Sequence, residues 1–173
     1  MIAPLLASVV GTLKSVAEPW KNLYDDSKVV ATIVVFVHLG ALLVGGGIAL
    51  ATDRATLRAV RGTPDVLERQ LAELGITHRI VISALVVSFL SGVALFLADV
   101  ETFVSSIAFY IKISLVALLL INGLAMTRFE SSLRRGPRAR DVSAWGPLRA
   151  TAVASVVLWL ATLLAGVALT NAS

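Results

Sequence analysis

The chain has 173 residues, of which 57% are hydrophobic and 15% charged, and its formal net charge is +4. Soluble globular domains carry about 25% charged residues, so this composition excludes that class. The absence of cysteine rules out disulfides, thiolate metal sites and a cysteine nucleophile, and two histidines are too few for a protein-only metal cage of about four ligands.

Residues 1–24 form a first element. Ile2, Leu5, Leu6, Val9, Val10, Leu13, Val16, Trp20 and Leu23 recur at spacings of three and four, which predicts an apolar stripe along a helix. The segment lacks the basic start of a cleavable signal peptide. It reads as an amphipathic helix in the outer membrane interface, with Trp20 and Tyr24 at headgroup level, or as a helix packed on the rest of the protein.

Residues 25–173 read as one all-α domain, an integral membrane bundle of four transmembrane helices. Four apolar runs, at about 29–52, 79–98, 104–126 and 150–170, have the roughly 20 residues that cross a hydrocarbon layer about 30 Å thick. In lipid every backbone polar group must be satisfied internally, so each run is a helix. The short link "DVETF" (99–103) makes the second and third spans antiparallel neighbours.

Between the first two spans, "TPDVLERQLAELG" predicts a separate short helix. Thr63 caps it, Pro64 occupies its first position, Gly75 ends it, and Leu67, Leu71 and Leu74 share one face. The other long loop contains "RRGPRARD" (134–141), which has no such periodicity and reads as flexible.

Every arginine lies in one of these two loops: Arg54, Arg58, Arg61, Arg69 and Arg79 in the first, and Arg128, Arg134, Arg135, Arg138, Arg140 and Arg149 in the second. Basic loops remain cytoplasmic, which predicts that both termini lie outside. The basic pI of about 10.0 is then a topology signal, and no nucleic-acid partner is expected.

A weak internal repeat has offsets of 74 to 76 residues. "GIALATDR" (47–54) corresponds to "GLAMTR" (123–128), and "SGVAL" (91–95) to "AGVAL" (165–169). The same offset carries His38 onto Lys112. Both lie eight or nine residues into spans that run in the same direction, about 12–14 Å from the outer edge at 1.5 Å per residue. An ionisable residue in a spanning helix marks a site by default, and a central lysine costs about 2.5–3.5 kcal/mol to insert. The ordinary alternative for Lys112 is snorkelling to the outer surface. For His38 it is a core imidazole bonded to a neighbouring carbonyl or hydroxyl.

Ser88 and Ser91 on the second span, with Ser114, Asn122, Trp159 and Thr162, are further polar handles within the spans. Gly40, Gly45, Gly46 and Gly47, with the ridge Ala84, Ser88 and Gly92, allow either close helix packing or room for a flat ligand. His78 starts the second span, some 20 Å along the bundle from His38, so the two cannot ligate one iron. It reads as an interfacial residue. No span carries Asp or Glu, which argues against a carboxylate-based proton-coupled transporter or acid–base hydrolase.

"FVHLGALLVGGGIALATDR" with "FYIKISLVALLLINGL" resembles a group of small bacterial membrane proteins. The group includes the copper-resistance D-like proteins and the membrane-bound haem-carrying protoporphyrinogen oxidases. His38 matches the histidine early in one span, and Lys112 matches the start of "K-x-x-L-x-x-L-L" in a later one. The resemblance implies a bacterial inner-membrane protein that binds haem b or a related porphyrin. His38 would be the axial metal ligand, Lys112 the opposite ligand or a cation near the propionates, and Ser88 and Ser91 further binding residues. Two other readings stand beside it: a non-catalytic accessory subunit docked in a larger membrane complex or homo-oligomer, and a small transporter or channel in which Lys112 selects anions.

Overall fold

A computed structural model describes residues 2–135 and 141–172, and the side chains of residues 8, 10–135 and 141–169. Six α-helices account for nearly all of them: α1 (Ile2–Asp26), α2 (Lys28–Ala59), α3 (Pro64–Ala98), α4 (Val100–Ser105), α5 (Ile107–Arg135) and α6 (Gly146–Ala172). The fold is an all-α bundle. Four helices, α2, α3, α5 and α6 with the 3-10 turn before it, are long and apolar enough to cross a membrane. Large apolar side chains such as Phe36, Leu43, Phe89, Ile107 and Leu164 point outward from them, which suits a lipid surround.

The bundle consists of two antiparallel hairpins, α2–α3 and α5–α6. They meet chiefly along α2 and α6, whereas α3 and α5 touch only sparsely. One end of the bundle holds the chain termini and α4, and the other, here the arginine end, holds both long loops. Polar side chains set the helix starts. The Ser27 hydroxyl accepts from Val30 N–H at 3.3 Å, and Asp99 accepts from Thr102 N–H at 3.2 Å. Asp99 thereby separates α3 from α4, and the rings of Phe96, Phe103 and Phe109 pack together behind that turn.

Each spanning helix continues beyond its apolar run at the arginine end. The first span, expected to finish at residue 52, is helical to Ala59, and the third continues from 126 to Arg135. The second begins at Pro64, because the short helix expected to stop at Gly75 instead runs without a break into α3. Gly75 is not a cap here. A side chain in its place would begin 2.9 Å from the Arg134 guanidinium, so glycine makes room for a residue of α5. Leu67, Leu71 and Leu74 pack with Ala59, Met126, Leu133, Trp145 and Leu148 into the best-buried core of the molecule. That core offsets the weak local helix preference at glycine.

The second half of α1 packs against the bundle. Ala17 is buried, and the Trp20 indole N–H donates to Ala94 O of α3 at 2.8 Å, while Val16 and Leu23 face outward. The stripe positions Ile2, Leu5, Leu6 and Val9 lie outside the described side chains, and residues 136–140, where a flexible loop is expected, lie outside the described residues.

Candidate functional site

The site at the terminal half begins with an imidazole held on one edge. His38 Nδ1, on α2, lies 3.0 Å from Ser88 O and 3.1 Å from Ser91 Oγ of α3. The Ser91 hydroxyl is directed to the backbone, 2.8 Å from Val87 O and 3.1 Å from Ser88 O. Both neighbours of Nδ1 therefore act as acceptors, and the imidazole satisfies them as the Nδ1–H tautomer. Its Nε2 keeps a lone pair. The ring lies against Gly92, where a side chain would begin 3.3 Å from Cε1, so that glycine seats the imidazole.

Lys112 of α5 stands in the equivalent place in the other hairpin. Its Nζ lies 3.6 Å from where a side chain on Gly166 of α6 would begin. It has no ion-pair partner among the described residues. The structure thus brings His38, Ser88 and Ser91 into direct contact, and sets Lys112 against Gly166 as His38 is set against Gly92.

The other expected polar groups are dispersed. Ser114 is exposed, Asn122 donates to Thr151 O at 3.0 Å, and Thr162 is buried with an unpartnered hydroxyl. The glycines of α2 divide into two kinds. Gly45 and Gly46 are contact surfaces: a side chain would begin 2.9 Å from Ala84 Cβ at the first and 3.1 Å from the Trp159 ring at the second. Gly40 and Gly47 have open space beside them.

Hydropathy alone conceals a second polar layer, nearer the arginine end. His78 does not stand at a helix start, because α3 begins fourteen residues earlier, at Pro64. Its Nδ1 is 2.6 Å from Glu130 Oε2 of α5. Glu130 Oε1 accepts from Arg134 Nε at 2.7 Å, and Arg134 also donates to Leu71 O. Glu130 is 6% exposed and Asp53 of α2 is 2% exposed. Both carboxylates lie just past the apolar runs, on helical extensions that a hydropathy window truncates. The signal for the unbroken α3 was an apolar face that keeps one helical register across Gly75, through Leu67, Leu71, Leu74, Val81 and Leu85. His38 packs level with residues 88–92 of α3, about 15–20 Å of helix rise from His78, so the two histidines belong to separate layers.

Among the described residues, no three His, Asp or Glu side chains converge to hold a metal ion. A partly open cavity of about 50 Å³ lies beside the second layer, not beside His38. No protein-family model, no curated protein and no solved structure matches the chain.

Proposed function

We propose that the protein binds haem b or a related porphyrin at the level of His38, with His38 as an axial ligand. The observation that carries this reading is the engaged Nδ1 edge. Histidines that ligate metals almost always donate their other ring N–H to a carbonyl, carboxylate or water, which fixes the tautomer and turns the free nitrogen outward. Ser88 O and Ser91 Oγ supply that arrangement here. Ser91 and Ser88 orient the imidazole, Gly92 allows it to lie close to α3, and Lys112 supplies either a second ligand or a cation for a propionate. When bound, such a group supplies one-electron redox chemistry. The cavity of about 50 Å³ is unsuited to it, since ligand pockets for molecules of that size run to about 300–1,000 Å³; the porphyrin would sit on the partly exposed side of His38.

In this reading the protein resides in a bacterial inner membrane, with the arginine-rich loops cytoplasmic and both termini outside. The decisive measurement is the absorbance of detergent-purified protein, reconstituted with hemin and recorded before and after dithionite. A Soret band that His38→Ala removes is the expected result. No Soret band, or one that His38→Ala leaves unchanged, overturns the proposal.

A second reading rests on Gly40, Gly47 and Gly123, which have open space beside them on the spanning helices. Small residues let a neighbouring backbone approach closely in lipid, so an accessory subunit docked in a larger complex or homo-oligomer is the alternative. Co-purification of a stoichiometric partner without any Soret band favours it.

A further inference from the structure

The cavity between α2, α3, α5 and α6 has a polar wall made of Thr52, Asp53, Thr77, His78, Asn122 and Ser155. Some of the protons of these groups are committed elsewhere. The Thr77 hydroxyl is directed to Glu73 O and Leu74 O at 3.3 and 3.1 Å, and the Asn122 amide N–H donates to Thr151 O at 3.0 Å, leaving its Oδ1 free. His78 Nδ1 faces Glu130, and Arg134 is engaged by Glu130 and Leu71 O. Ser155 lines the cavity together with the Asp53 carboxyl, whose Oδ2 is buried without a partner among the described residues. The cavity therefore presents oxygen acceptors, among them a buried Asp53 carboxyl oxygen with no partner among the described residues.

We infer that this cavity is a binding site for a monovalent cation, with Asp53 as the charged ligand and Thr52, Thr77 and Asn122 as neutral oxygen donors. Three considerations select that class. A buried carboxyl meets its desolvation cost either with a proton or with a counter-charge, and no described residue forms an ion pair with Asp53, so a bound cation is what would hold it ionised. One carboxylate balances one positive charge, whereas a divalent or transition metal calls for the multi-ligand cluster that is absent among the described residues. The volume of about 50 Å³ corresponds to roughly three to five water-sized occupants at 10–15 Å³ each, which fits a small ion with part of its hydration shell better than a bulky organic cation. The site lies in the other polar layer and is independent of porphyrin binding at His38.

The test uses the full-length protein in detergent at constant ionic strength, replacing choline chloride with sodium, potassium or ammonium chloride. At a concentration tenfold above the dissociation constant, at least one of these cations should raise the unfolding temperature by roughly 3–6 °C. Trp159 lines the same cavity, so its fluorescence should change saturably over the same concentration range. Asp53→Asn should abolish both responses, and Thr77→Val should move their midpoint to higher concentration. Identical unfolding temperatures in all four salts would refute the site. So would an undiminished response in Asp53→Asn or, should that variant fail to fold, an unchanged midpoint in Thr77→Val.

Discussion

Lys112 lies against Gly166 of the neighbouring helix as His38 lies against Gly92. The separation of 74 residues that relates His38 to Lys112 also relates the two glycines. Each glycine stands six residues before the end of its helix, Ala98 in one hairpin and Ala172 in the other. The hairpins thus present corresponding positions at one level, one carrying an imidazole and the other an amine. Two such groups bonded to a common ligand must couple energetically, whereas two tolerated side chains need not.

This gives the first prediction. Lys112→Met keeps length and apolarity while removing the amine. Without ligand, the substitution should leave stability unchanged or raise it by up to about 2.5 kcal/mol, because it removes a membrane charge. With porphyrin it should lower the ratio of Soret absorbance to protein, and its effect should be non-additive with His38→Ala. Chromophore content and thermal stability measured across the four proteins decide this. Additive effects with full chromophore in Lys112→Met would mean that the lysine only snorkels.

The second prediction contrasts neighbouring glycines. In Gly45→Ala the new methyl meets Ala84 Cβ at 2.9 Å, and neither short side chain can turn away, so α2 and α3 must separate. The expected loss is about 1–3 kcal/mol. Gly47→Ala faces open space and should be neutral or stabilising by up to about 1 kcal/mol, through helix propensity alone. Denaturation of both variants in the same detergent provides the comparison; equal losses would contradict it.

Glu130 is the third. One buried carboxylate joins α5 to His78 of α3 and positions Arg134, which reaches Leu71 O and fills the space beside Gly75. Glu130→Gln should cost about 1–3 kcal/mol by weakening charged hydrogen bonds, and Glu130→Ala about 3–5 kcal/mol by orphaning partners. The loss should be accompanied by faster hydrogen exchange in residues 64–75, the segment that Arg134 fastens. Wild-type exchange there in Glu130→Ala would assign the fastening to the leucine core instead.

The fourth prediction concerns orientation. Ser132 is exposed at the arginine end and Ser105 at the terminal end. In intact cells, Ser105→Cys should react with a membrane-impermeant maleimide, and Ser132→Cys should react only after permeabilisation. The reverse pattern would invert the protein in its membrane.

Hydropathy was sufficient for the four spans because lipid imposes length and apolarity on each segment separately. It could not place the ends of the helices. Whether α3 stops at Gly75 depends on Arg134, 59 residues away, and on leucines that find their partners only when Trp145 and Leu148 arrive from the fourth helix. Asp53 and Glu130 read as punctuation for the same reason: a charge closes an apolar window, although the helix and its burial continue. At the terminal half more was legible. His38, Ser88 and Ser91 were each conspicuous as polar groups in apolar runs, and helical spacing put Ser88 on the ridge facing α2. Which edge of the imidazole they hold is a matter of side-chain geometry, which periodicity does not carry.

The unbroken course of α3 has a mechanical consequence. Its 35 residues make a rod of about 52 Å, some 20 Å longer than the hydrocarbon layer is thick. There is no joint along it: where a hinge would sit, Gly75 is clasped by Arg134. The arginine end of α3 and the wall behind His38 are therefore two ends of one lever. A molecule that grips the arginine end and tilts it must tilt Ser88 and Ser91 as well, so a load applied there reaches the imidazole without any signal passing through the loops.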